Sequence, residues 1–199
     1  MKRFATLVVG MCLLVGVVPG VAKKKPAKPV IETFEATLTG LGVLRLEVEE
    51  FSTDQDVQEL AQAYAKGGKD AVGRSLESNE KGRYRYQLWD SSPRNPGFQA
   101  FPIRFIQSAS KGGIRTLYII ADAADSALVG QPVHMEPINH RGYPFTVIEL
   151  HIDQQGKGIG QQVPFSAIVF NKQGTLDVNP MFGPVNGMVH FPAVHAVPR

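Results

Sequence analysis

In this chain of 199 residues, the side chains best suited to hold a metal ion fall in two groups: His134, Glu136 and His140 in the run HMEPINH, and Glu149 with His151 further on. Imidazole nitrogen and carboxylate oxygen together suit zinc or a similar divalent ion, and residues two apart on a strand point to the same side. The spacing is not that of a helical HExxH site, and Pro137 interrupts the first group. Histidines in loops and at strand ends that face solvent are the preferred reading, and no cofactor is required.

A second chemistry is anion binding. Arg83, Arg85, Gln87 and Trp89 share one face of a strand in which Tyr84, Tyr86 and Leu88 take the other. Cations beside an indole could stack on and neutralise a nucleotide or an acidic glycan. Glu47 and Glu49, with Arg45 nearby, offer cross-strand ion pairs that account for the same arginines without a ligand, and this reading is preferred. Nucleophilic catalysis has less support: there is no G-x-S-x-G, and Ser75, Ser78, Ser91 and Ser92 fall in turns or a helix without a histidine close in sequence. Asp122 and Asp125 could form a carboxylate pair, but a polar loop after a strand explains them. The run Gly156-Lys157-Gly158-Ile159-Gly160 imitates a phosphate loop, yet it lacks a complete Walker pattern and a following helix, so it reads as a hairpin turn.

The element that must position Glu149 and His151 is Tyr143 to Asp153, YPFTVIELHID, the longest sharply alternating β-prone stretch in the chain. Thr146, Ile148, Leu150 and Ile152 point to a core, while the opposite face turns from Phe145 and Val147 to Glu149, His151 and Asp153. Ile159 to Phe170 folds straight back as its hairpin partner. Before them, Glu32 to Thr39 and Val43 to Phe51 form a first hairpin. Thr53 is a predicted N-cap with Asp54 and Asp56 in the first turn, followed by the stripe Val57, Leu60, Ala61 and Tyr64. Gly67-Gly68 ends that helix, and Lys69 to Ser78 forms a short second one with Val72 and Leu76 on one side.

Further strands are expected over Arg83 to Trp89, Phe101 to Ser108, Ile114 to Ala121, Pro132 to Glu136, Thr175 to Val178 and Val185 to Phe191. Eight to ten strands with connections mostly too short for parallel crossovers predict an α+β, mainly β domain. Its sheet is an antiparallel curved sheet or barrel, with one inserted helical hairpin packed on one end.

Ahead of the domain, Met1-Lys2-Arg3 is followed by 15 nearly all apolar residues, Phe4 to Val18, and small residues at Gly20 and Ala22. Residues 1–22 therefore read as a signal peptide cleaved after Ala22, and 23–30 as a Lys/Pro-rich linker leading to a single domain over 31–199. The formal charge of +3 depends on these segments. Without Lys2 and Arg3, 19 basic residues face 18 acidic ones, and without Lys23, Lys24, Lys25 and Lys28 the basic count falls to 15. A mildly acidic domain argues against a nucleic-acid partner. Cys12, the single cysteine, lies in the leader, so the mature chain has no disulfide and must rest on its apolar core.

The segments TFEATLTGLGVLRLEVEEFST, GGKDAV and YPFTVIELHID resemble those of a family of secreted bacterial proteins of unknown function. The resemblance implies export and carries no activity, ligand or catalytic residue. Together these readings predict a secreted or periplasmic, non-enzymatic binding or structural module whose partner is a small molecule or an envelope protein. The membrane enters only through the signal segment before cleavage. The alternative is a metal-dependent or hydrolytic envelope enzyme using the region of His134 and His151. An apolar barrel interior would favour a ligand cavity, and a free sheet edge would favour strand addition.

Overall fold

A computed structural model describes residues 28–39, 42–88, 100–123, 144–171, 176–180 and 189–198. Residues 1–27, the segment holding Trp89, and the segment holding His134, Glu136, His140 and the expected strand Pro132–Glu136 lie outside the described residues.

The chain opens with the hairpin β1 (Glu32–Leu38) and β2 (Gly42–Val48), continues into α1 (Asp54–Glu77), and returns to β structure. The later strands are β3 (Gly82–Leu88), β4 (Ala100–Lys111), β5 (Ile114–Asp122), β6 (Phe145–Ile152), β7 (Lys157–Phe170), β8 (Leu176–Pro180) and β9 (Val189–Ala196). Among the described residues every pairing is antiparallel, in the order β6-β5-β4-β3-β2-β1-β9-β7, and β6 also pairs with β7. Eight strands thus close into a barrel, and β8 adds to β7 outside the ring. The expected mainly β, α+β fold is the observed one.

Alternation places Phe34, Ala36, Leu38, Leu44, Leu46, Val48, Tyr84, Tyr86, Ile148, Leu150 and Ile152 in one buried cluster that fills the middle of the ring. Along β4 a register shift between Ile103 and Phe105 lets the strand change face: Ile103 and Ile106 point inward and Phe105 outward. Phe105 joins Ile120, Phe145, Val147 and Ile168 in a second apolar cluster on the outer wall, which Leu60, Val72 and Leu76 of α1 cover. The helix therefore packs against the flank of the barrel over β4 to β7, not on one end. The apolar outer half of β6 is what places it there.

α1 starts with a reciprocal cap: Thr53 Oγ1 accepts from the Asp56 amide at 3.3 Å, and Asp56 Oδ2 accepts from the Thr53 amide at 2.6 Å. It changes direction at Gly67 and Gly68, whose backbones leave helical geometry, Gly68 with φ +61°. The sequence divides the helix at this point too. Each end is tied to the barrel. Lys81 Nζ lies 2.6 Å from Glu50 and 3.4 Å from Asp56, and Arg104 grips Asp122 with two bonds of 2.7 and 2.6 Å while donating to the carbonyls of Glu77 and Asn79. Burial alone would lower the Lys81 pKa, but its two carboxylate partners more than reverse this and hold it above the ordinary lysine value. Among the described residues no helix is long and apolar enough to cross a membrane.

The last strand differs from the expected Val185 to Phe191. β9 buries Phe191 and Val194, three residues apart, and a register shift opposite Gly158 and Gly160 on β7 breaks the two-residue period that would have revealed it.

Candidate functional site

Glu149 and His151 share the outer face of β6, as their spacing requires, and they turn to one another. His151 Nε2 lies 3.1 Å from Glu149 Oε1, while Gln161 on β7 donates to Glu149 Oε2 at 2.9 Å and Thr116 on β5 meets His151 Nδ1 at 3.2 Å. Two ligand types are present, but among the described residues no group of three histidine, cysteine, aspartate or glutamate side chains is arranged to hold a metal ion.

The arginine face is a ladder of charge. Glu35 on β1, Arg45 and Glu47 on β2 and Arg85 on β3 alternate in sign across three strands, with Arg45–Glu35 at 2.8 Å and Arg45–Glu47 at 3.3 Å, and His195 Nε2 on β9 lies 3.3 Å from Glu35. Arg85 pairs with the other Glu47 oxygen, and Arg83 pairs with Glu80 at 3.1 Å. The register explains the Arg45–Glu35 pair, which lies directly across β1 and β2, whereas Arg85 stands opposite Arg45 and reaches Glu47 diagonally. Arg85 Nε is buried without an acceptor among the described residues. The other expected chemistries are also taken up locally: Asp122 holds Arg104, Ser78 bonds to the Ser75 carbonyl at 2.8 Å, and Lys157 to Gly160 belong to β7, so no phosphate loop forms there. Asp125, Ser91 and Ser92 lie outside the described residues.

The structure brings together a polar group inside the barrel that sequence reasoning missed. Tyr86 on β3 donates to Gln162 Oε1 on β7 at 2.8 Å, and the same amide donates to Thr146 on β6 at 2.9 Å. The signal was a glutamine at an inward position of β7, opposite Ile148. Burial pushes the Tyr86 hydroxyl up to about 12, the Gln162 bond only partly opposing it. A folded value above the ordinary 10 means that the neutral phenol stabilises the fold below pH 10 and that this contribution is lost as pH rises through 12. That window corresponds to on the order of 3 kcal/mol. Tyr86→Phe should cost about 1–3 kcal/mol near neutrality, because the Gln162 amide loses a partner. It should also flatten the alkaline loss, as read from urea unfolding at about pH 9 and above pH 11. An equal alkaline loss in both proteins would show that Tyr86 is not the group responsible.

At one end of the ring, Arg115 on β5 crosses to Glu32 on the opposite strand β1 at 2.8 Å. Its Nε donates to Ser108 at 2.9 Å, and its guanidinium lies 5.3 Å from the Phe51 ring centre and 5.9 Å from that of Phe34. Beside it is a cleft of about 310 Å³ whose walls include Phe34, Ile152, Asp153, Gln154 and Ala196. A smaller cleft of about 150 Å³ runs under the second half of α1, between Gly73 and Phe145, with Lys69, Asp70, Arg74 and Glu77 on its rim. No family model, curated protein or solved structure matches the chain.

Proposed function

We propose that this chain is an exported, non-enzymatic binding or structural module that meets a small molecule or an envelope protein on the outside of its barrel. The observation that carries the reading is the filled ring: inward side chains from its strands form one contiguous buried cluster where a chamber would have to be. The outer chemistry-bearing residues support it as well. Glu149, His151, Arg83 and Arg85 each have a protein partner, which is the pattern of a solvated ion-paired surface. Export rests on the apolar leader and its small-residue cut site.

The enzyme alternative has one observation in its favour, the 3.1 Å contact that holds an imidazole against a carboxylate on an exposed face. The purified chain should be screened against ester, phosphoester, glycoside and peptide substrates, with and without zinc and manganese. The expected result is no turnover above background. Turnover that His151→Ala abolishes would replace this reading with the enzymatic one.

A further inference from the structure

We propose that the cleft at the Arg115 end of the barrel binds a small zwitterion of amino-acid size with an apolar body. This deepens the binding-module reading and rests on it. Its volume of about 310 Å³ lies at the lower end of the range of roughly 300–1,000 Å³ for small-molecule pockets.

The charges in the cleft are of both signs and incompletely used. Arg115 directs Nη1 to Glu32 and Nε to Ser108, and its Nη2 meets no acceptor among the described residues. Glu32 engages Arg115 through Oε2 alone. Asp153 accepts the amides of Gln155 and Lys157 through Oδ1, both at 2.9 Å, and its Oδ2 meets no donor among the described residues.

These groups are fixed in place before any ligand arrives. Two aromatic rings and two hydrogen bonds hold the guanidinium, and the turn carrying Asp153 is closed by Gly156 N to Asp153 O at 3.0 Å and by Ala196 N to Gly156 O at 2.8 Å. A purely anionic ligand reaching Arg115 would meet the fields of Glu32 and Asp153, and a purely cationic one would meet that of Arg115. A molecule with a carboxylate and an ammonium matches both, and Ile31, Ala196 and Val197, which line the cleft and are not buried, supply an apolar wall for its body.

The test is amide NMR of the full chain titrated with L-leucine, with 4-methylpentanoate, which lacks the ammonium, and with leucinamide, which lacks the carboxylate. Leucine should produce saturable shifts at Thr33, Gln154, Gly156 and Val197, and each single-charge probe should bind about tenfold more weakly or worse. Arg115→Gln should weaken leucine by a similar factor. Because Arg115 also closes the end of the core, Ala196→Trp provides the second variant: it is exposed, leaves Arg115 intact and fills the cleft, so leucine binding should disappear while thermal unfolding stays near that of the parent. Absence of saturable binding by all three probes, equal affinity for a single-charge probe, or binding that survives Ala196→Trp would each overturn the proposal. Failure here leaves the substrate screen untouched, and turnover in that screen would overturn the wider reading whatever the cleft binds.

Discussion

Gly158→Ala is expected to lower the free energy of unfolding by about 4 kcal/mol or more, read from denaturant titration, or to prevent folding altogether. A Cβ at this position would lie 1.8 Å from the His151 carbonyl oxygen, 2.8 Å from its carbonyl carbon and 3.0 Å from the Ile152 Cα. All three are backbone atoms, so no side-chain rotation relieves the clash, and β6 must part from β7 where the ring closes. Gly73→Ala is the contrast: on the helix face its Cβ would meet only Phe145, at 4.0 Å, and the gain in helix propensity should leave stability unchanged or raise it by up to about 1 kcal/mol. Unfolding of Gly158→Ala like the parent would mean that the ring does not close as described.

Leu60→Ala should cost about 2–5 kcal/mol in the same measurement, since Leu60 is only 1% exposed at the centre of the cluster joining α1 to the barrel wall. The value within that range depends on how far Phe105, Ile120 and Val72 collapse into the space. The stripe Val57, Leu60 and Tyr64 thus covers a core, with Tyr64 packing on Phe170 at 5.4 Å between ring centres. If the variant unfolded like the parent while binding to envelope material was lost, the stripe would be an interaction surface instead.

The strands were legible where one face was buried and the other wet. On β2, Leu44, Leu46 and Val48 oppose Arg45 and Glu47, and the register follows from that contrast. Thr53 and Asp56 announced the helix start because a reciprocal cap is a local arrangement of side chain and backbone. The seat of the helix was harder to read. Phe145 and Val147 alternate with inward residues and look like the dry end of an exposed face, whereas they form the floor beneath α1.

The candidate site was least legible because it depends on which strands stand opposite each other after closure. Nothing local in the sequence places Arg115 beside Glu32, 83 residues away, or Tyr86 against Gln162, 76 residues away. The cross-strand ion pairs of Arg45 and Arg85 were readable because their partners lie on adjacent strands.

The central claim is that the barrel is full, so that a partner must be met outside it. Xenon uptake followed through the methyl resonances of Leu44, Leu46, Ile119 and Leu150 measures this directly, because a dry apolar chamber takes up such a probe and a close-packed one does not. The account predicts no saturable shift at any of these methyls. Saturable shifts confined to them would reveal an internal chamber and contradict the account.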